Sequence, residues 1–337
     1  MKRVGIIGCG GITQTHAWAL QQIEQVKLIA LSDILPERAS LYSEKYTNNE
    51  AAVYEDYKKM LAIEKPDVVH ICTPHYLHVP VAIEALKLGI HVFCEKPPAI
   101  SRSEFEQLKQ VAEQSKARLG FCFQNRYNET TRQLDALIEK RTLGKVIGAR
   151  AFVTWKRDDD YYEVPWKGSI AQSGGGALIN QSIHTLDLLL RYFKEPVKVK
   201  SSMHNHHLSD SIEVEDTVEA WMEFEDHARA CFYASTAYVT DAPVILEYQC
   251  EHGSITVMNQ VITIRNEIGE QNSILCQEPK GIGKSYWGSG HLSCIKDFYQ
   301  ALYFDKPYPN DWNGVKKTFD VTMQIYEESR KGKNKYE

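Results

Sequence analysis

The chain opens on Lys2-Arg-Val-Gly-Ile-Ile-Gly-Cys-Gly-Gly-Ile-Thr13, and no other stretch restricts the fold as much. An apolar run, Val4 to Ile7, ends in Gly8-Cys9-Gly10-Gly11-Ile12. A helix-compatible segment follows, and Asp33 closes the next apolar run. A strand, a tight glycine turn and a helix N-terminus together suit a dinucleotide pyrophosphate. Glycines let the backbone approach the phosphates, and the helix aims free N–H groups and its positive dipole end at the anion. Asp33 stands where a carboxylate accepts from the adenosine ribose, about 20 residues further on. Thr13 occupies the place of the third glycine of G-x-G-x-x-G, a position that serves helix–strand packing rather than phosphate contact. The alternative, an ordinary strand-to-helix turn, does not account for Asp33.

The 337 residues give room for two domains of ordinary size. Apolar residues are 43% and charged residues 25%, an ordinary globular balance. The net charge of −5 gives no reason to expect nucleic acid. No apolar run approaches a membrane span, and the chain passes from Lys2-Arg3 straight into a strand with no room for a signal peptide. Eight cysteines contain no C-x-x-C. Cys9, Cys72, Cys94 and Cys122 sit in apolar runs, as small hydrophobes do. A reducing, cytoplasmic setting with no disulfides and no metal is expected.

Up to about residue 124 strand and helix signals alternate. Strands are predicted at Val4–Ile7, Lys27–Ser32, Asp67–Cys72, His91–Cys94 and Leu119–Phe123. Helices are predicted at Thr15–Glu24, Pro36–Tyr46, Val79–Leu88 and Ser101–Ser115, the last capped by Ser101. This alternation implies a doubly wound parallel sheet. Beyond residue 125 longer strands dominate from Val146 to Arg265, which predicts a large, mostly antiparallel sheet. One helix, Ala177–Tyr192, interrupts it, and helices near Leu292–Tyr303 and Gly314–Ser329 end the chain. The expected fold class is α/β, with a dinucleotide-binding domain over residues 1–124 and a second domain over 125–337.

In open α/β sheets ligands sit beyond the carboxyl ends of the strands. Cys72-Thr73-Pro74-His75-Tyr76-Leu77-His78 and Cys94-Glu95-Lys96-Pro97-Pro98 both arrive there. A lysine pinned at that point can bind a substrate hydroxyl, and partial burial lowers its pKa toward a useful range. The alternative is a strand-end lysine reaching into solvent. Gly174-Gly-Gly-Ala-Leu-Ile-Asn180-Gln-Ser-Ile-His184-Thr-Leu-Asp187 is the second constellation. Asn180, His184 and Asp187 share one helix face at i, i+4 and i+7, beside an apolar stripe of Ile179, Ile183, Leu186 and Leu190. His184 has the chemistry of a general base near neutral pH.

Together these residues resemble the Gfo/Idh/MocA family of NAD(P)-dependent oxidoreductases. The resemblance spans almost the whole chain. It rests on the glycine turn with His16, Thr73-Pro74-x-x-x-His78, Glu95-Lys96-Pro97, Gln124-x-Arg126-Tyr127, Gly144-Lys-Val-Ile-Gly148, the triple glycine, His184-x-x-Asp187 and Glu215-Asp216. Gly314 and Ile325-Tyr326 to Ser329 also fit. The resemblance implies an N-terminal Rossmann domain and a C-terminal α/β domain whose open, mostly antiparallel sheet mediates homodimers or homotetramers. The active site would lie between them, over the nicotinamide. It implies NAD held by Gly8, Gly10, Gly11, Ile12, Asp33, Arg38, Thr73, Pro74, His75, His78, Glu95, Lys96, Pro97 and Gln124. Lys96 would be the catalytic lysine, Pro97 the family's often cis proline, and His184 the residue that exchanges the substrate proton. Arg126, Tyr127, Trp166, Lys167 and Asn180 would lie near the substrate.

The family often has Asp where this chain has Asn180. Asn orients a hydroxyl but cannot act as a base, so the proton transfer falls to Lys96 and His184. The family also often has Asn in place of His75, where a ribose or nicotinamide contact would fall. Asp33 followed by Ile34 favours NAD, because the carboxylate repels a 2′-phosphate; Arg38 leaves NADP as the alternative. The expected reaction is reversible oxidation of a secondary alcohol on a sugar, cyclitol or related polyol. Two rivals are a regulatory protein that senses NAD or sugar without chemistry, and an NAD-assisted glycosidase with transient oxidation. His204-Asn-His206-His207 is expected to be a solvated loop rather than a set of metal ligands; Asp158-Asp-Asp160 with Tyr161-Tyr162 either shapes a substrate-facing loop before Trp166 or forms a charged turn, and Tyr286-Trp287-Gly288 with His291 either edges the active cleft or caps the last helices.

Overall fold

A computed structural model describes residues 1–277, 282 and 288–333. The chain divides into two compact units, Met1–Tyr127 with Pro279–Lys316, and Asn128–Glu278 with Lys317–Glu337.

The first unit is a parallel sheet. Its strands are β1 (Lys2–Ile7), β2 (Val26–Ser32), β3 (Ala52–Tyr54), β4 (Val68–Ile71), β5 (His91–Cys94) and β6 (Leu119–Phe121), in the order β3-β2-β1-β4-β5-β6. The chain builds outward from β1 in one direction, then returns and builds from β4 in the other. The reversal between β1 and β4 is where such a sheet opens a crevice for a ligand. The helices α1 (Thr13–Gln21), α2 (Pro36–Thr47), α3 (Tyr57–Glu64), α4 (His78–Lys87) and α5 (Arg102–Gln114) make the crossovers. Pro36 opens α2 where its missing N–H costs nothing. Ser101 caps α5 by accepting the Glu104 N–H at 3.2 Å, as its sequence predicts. The short β3 and α3 carry too weak a pattern to be read from sequence.

The strands are buried because helices cover them. Val4, Ile6, Val68 and Phe93 are wholly buried and pack with Ala17 and Leu20 of α1. A late helix, α10 (His291–Phe304), joins this core through Ile295, Phe298 and Tyr299. Sequence order and spatial grouping therefore part company near the end of the chain.

The second unit holds α6 (Glu129–Glu139), β7 (Val146–Thr154), α7 (Asp159–Tyr162), α8 (Ile170–Ser173), α9 (Ile183–Leu189) and strands β8 (Lys198–His204) to β14 (Gln271–Leu275). The strands between are β9 (Thr217–Glu223), β10 (Arg229–Ser235), β11 (Ile245–Cys250), β12 (Gly253–Met258) and β13 (Val261–Asn266). They form one sheet ordered β14-β13-β12-β11-β7-β10-β9-β8. Every pairing is antiparallel except β7 with β10. β14 extends this sheet beyond the strands read from sequence. The chain ends with α10 (His291–Phe304) and α11 (Trp312–Lys333).

The helix expected over Ala177–Tyr192 is not a single α-helix. Ala177–Ser182 forms a wide π-helical turn, and only Ile183–Leu189 is regular α-helix. Side chains recruit the early N–H groups: Glu215 accepts from Gly176 at 3.0 Å and Leu178 at 2.9 Å, and the Tyr326 hydroxyl accepts from Ile179 at 3.3 Å.

Candidate active site

Gly8 ends β1 with φ at +88°, and a Cβ there would stand 2.7 Å from the backbone of Cys72 and Thr73. Only glycine fits both demands. Gly10 and Gly11 face open space, with nothing within 4 Å of where a Cβ would be. Asp33 accepts the Cys9 N–H at 2.7 Å and the Leu35 N–H at 2.9 Å, so its carboxylate is held beside the turn. Thr13 donates its hydroxyl to the Gly8 carbonyl at 2.8 Å. The missing third glycine is thus replaced by a side chain that fastens the turn. Tyr42, which sequence reasoning did not single out, donates to the Gly10 carbonyl at 2.8 Å. Burial, with the Asp33 charge adding, pushes the Cys9 thiol up to about 12. Ile12 packs partly into the core, whereas Arg38 is exposed.

Two loops reach the same end of the sheet. Pro74 precedes a short 3₁₀ turn, His75–Leu77. His78 spans the loops, with Nδ1 2.8 Å from the Pro97 carbonyl and Nε2 3.0 Å from the Thr73 carbonyl. His75 is buried, its ring centroid 5.6 Å from that of His78. The Thr73 hydroxyl is buried and makes no hydrogen bond among the described residues. That orphaned hydroxyl, the open space over Gly10 and Gly11 and the held carboxylate of Asp33 fit a dinucleotide. The Lys96–Pro97 peptide is cis.

Glu95 turns inward. Its Oε1 accepts from His16 Nε2 at 2.9 Å, and its Oε2 accepts the Lys96 backbone N–H at 3.3 Å. Donor atoms of His16, Glu95 and Cys122 lie within 4.8 Å of one another. Burial works to raise the Glu95 pKa, but the His16 hydrogen bond and nearby His16, His291 and Lys96 hold it below the usual carboxylate value. Burial lowers the Lys96 pKa, and Glu95 followed by Cys122 opposes that. Gln124 is buried, its Oε1 3.8 Å from Cys122 Sγ. Arg126 donates to Asn310 Oδ1 and the Gly314 carbonyl at 3.0 Å each, and Tyr127 donates to Asp297 at 2.6 Å. Both are thus anchored within the first unit.

The second unit holds Asn180 and His184. Glu215 receives N–H bonds from the turn and the Tyr326 hydroxyl at 2.8 Å, so it builds the turn that carries Asn180. Gly175 and Gly176 permit this packing, since a Cβ would collide with the Tyr326 hydroxyl and the Glu215 carbonyl respectively. Asn180 is nearly buried and His184 half-buried. Asp187 accepts from Thr318 of α11 at 2.5 Å, a structural bond. Lys167 lies 3.7 Å over the Tyr161 ring and donates to the Tyr161 carbonyl, with the half-buried Trp166 beside it in sequence.

His204 and His206 bond to each other at 3.1 Å, and Asp159 bonds Ser211 in the short α7 region. Tyr286 and Trp287 lie outside the described residues. Sequence reasoning missed His70, Tyr299 and Thr318. His70 had a signal: it is the one imidazole inside the apolar run Val68–Ile71, where an unpaired polar group is costly.

A parallel sheet ordered 3-2-1-4-5-6 with a glycine turn at its reversal defines a dinucleotide-binding Rossmann protein. Residues 2–123 match the family described as "Oxidoreductase family, NAD-binding Rossmann fold", and residues 131–256 match the GFO/IDH/MocA C-terminal domain. The chain belongs to the GFO/IDH/MocA oxidoreductase family. It is 32% identical to D-glucoside 3-dehydrogenase of Escherichia coli (strain K12) over 60% of this chain and 57% of that one. It is 25% identical to scyllo-inositol 2-dehydrogenase (NADP(+)) IolU of Bacillus subtilis (strain 168), over 98% of this chain and 97% of that one. Among solved structures, the WlbA dehydrogenase from Bordetella pertussis, in complex with NADH and UDP-GlcNAcA, matches with a TM-score of 0.83 and 25% identity, covering 98% and 97% of the two chains. The match spans little more than half the length of several of the curated relatives. Among the described residues, no helix is long and apolar enough to cross a membrane.

Proposed function

We propose that this chain is an NAD-dependent dehydrogenase acting on a secondary alcohol of a sugar, cyclitol or related polyol. One observation carries the reading: Lys96, half-buried, directly follows the carboxyl end of β5, beside an inward-turned Glu95, at the end of the sheet where the glycine turn opens. When bound, the nicotinamide accepts or returns the hydride. Lys96 holds and polarises the substrate oxygen. His184 takes the hydroxyl proton, and Asn180 orients the same hydroxyl. Arg126, Tyr127, Trp166 and Lys167 belong to the substrate region, and the remaining loop residues, from Thr73 to Gln124, line the cofactor. The names of the relatives support the substrate class, since they include glucoside, glucose 6-phosphate and inositol dehydrogenases.

The test is a panel of glucosides, glucose 6-phosphate and inositols, with NAD or NADP, read by absorbance of the reduced cofactor. Accumulating NADH supports a dehydrogenase. A released aglycone without net NADH supports the glycosidase, and neither product supports a sensor.

We further propose a homodimer or homotetramer joined through the open face of the eight-stranded sheet, where Phe152, Trp221 and Tyr233 stand half-covered. Light scattering at micromolar concentration tests this, and a monomer overturns it. All eight cysteines are free and all but Cys231 are buried, in keeping with a cytoplasmic setting.

A further inference from the structure

A continuous chain of hydrogen bonds runs through the core of the first unit to the residue before Lys96. Tyr299 Oη lies 3.0 Å from His70 Nε2. His70 Nδ1 lies 2.9 Å from His16 Nδ1, and His16 Nε2 lies 2.9 Å from Glu95 Oε1. Tyr299, His70, His16 and Glu95 are all buried, and they come from α10, β4, α1 and the end of β5. Helix packing does not need two imidazoles joined nitrogen to nitrogen, and an unpaired one there would be costly.

The order of the contacts fixes the direction of every proton. An ionised Glu95 only accepts, so His16 Nε2 carries a hydrogen. In a neutral His16, Nδ1 is then bare and accepts from His70 Nδ1–H. His70 Nε2 is bare in turn and accepts from the Tyr299 hydroxyl. Each donor points toward Glu95, and each bond polarises the next.

We propose that Tyr299, His70 and His16 form a positioning relay that locks Glu95 as an oriented anion beside the half-buried Lys96 and so favours its ammonium form. Its use in catalysis rests on the assignment of Lys96 made above. The other titratable groups facing the pair stay silent near neutral pH. Burial holds His70 and His78 below the usual histidine value and His291, on α10, at about 4. It holds the thiols of Cys72, Cys94 and Cys122 above theirs.

Histidine-¹⁵N and lysine-¹³Cε labelling of the full chain tests the relay by NMR. No substrate is needed. In the native chain His16 is expected to carry a proton on Nε2 with Nδ1 accepting, and His70 to carry its proton on Nδ1 alone. Glu95→Gln is expected to lower the Lys96 titration midpoint by about one pH unit or more, the effect of losing a neighbouring opposite charge. Tyr299→Phe is expected to disturb the His70 tautomer and lower the same midpoint by less. A His16 that is doubly protonated or protonated on Nδ1 in the native chain overturns the relay. So does an unmoved Lys96 midpoint in Glu95→Gln, whatever happens to melting temperature. The native-chain spectra decide even if a variant fails to fold. If these spectra come out as expected while Lys96→Ala turns over normally, the assignment of Lys96 fails and the relay stands.

Discussion

Asp33 Oδ2 accepts the backbone N–H of Cys9 at 2.7 Å, which joins the end of β2 to the glycine turn that ends β1. The carboxylate is therefore a fixed part of the turn rather than a free surface charge. The cofactor reading proposed above has it accept from a ribose and exclude a phosphate on that ribose.

Asp33→Ala removes that charge and is expected to weaken NADH binding about tenfold to a hundredfold, the worth of a charge-assisted hydrogen bond. NADPH binding should hold or improve. Calorimetric titration with both cofactors measures this, and an equal loss for both would place Asp33 away from the ribose.

Two glycines two positions apart should respond differently to alanine. Gly8→Ala places a methyl against the Cys72 backbone at a positive φ and should cost about 1–3 kcal/mol of stability in urea unfolding. Gly10→Ala meets only open space, so stability should change by less than about 0.5 kcal/mol. Its NADH affinity should fall, because the methyl occupies room the pyrophosphate needs.

Lys96→Ala should cut turnover of the best panel polyol by about a hundredfold to ten-thousandfold, a far larger effect than any loss of NADH affinity. Fluorescence titration and initial rates separate the two effects. Near-normal turnover would remove Lys96 from the chemistry.

His291 is buried with its pKa lowered to about 4, chiefly by burial. Between that value and the unfolded value of about 6.5 the unfolded chain binds more protons, so stability rises with pH across this window. Acidification through it should cost about 3 kcal/mol from this one group. The depressed Glu95 adds a loss in the same direction below its unfolded value of about 4.3. In His291→Gln, urea unfolding followed from pH 7 to 4.5 should show a shallower fall in stability. An unchanged slope would show that His291 does not titrate on unfolding.

What the sequence by itself determined was local. Alternating apolar runs and amphipathic segments specified the parallel sheet, because burial on both faces writes itself into neighbouring residues. Gly8, Asp33 and Lys96 were legible for the same reason: each sits at the end of such a run, where an open sheet presents its ligand. Tertiary structure decided the rest. The Ala177–Ser182 turn looked like an ordinary helix until Glu215 and Tyr326 arrived to take its N–H groups. His70 looked like a stray polar residue in a strand, and its partner Tyr299 lies 229 positions away. Periodicity records which face of an element is buried. It carries no record of which distant side chain completes a hydrogen bond, because only the packing of finished elements brings the two together.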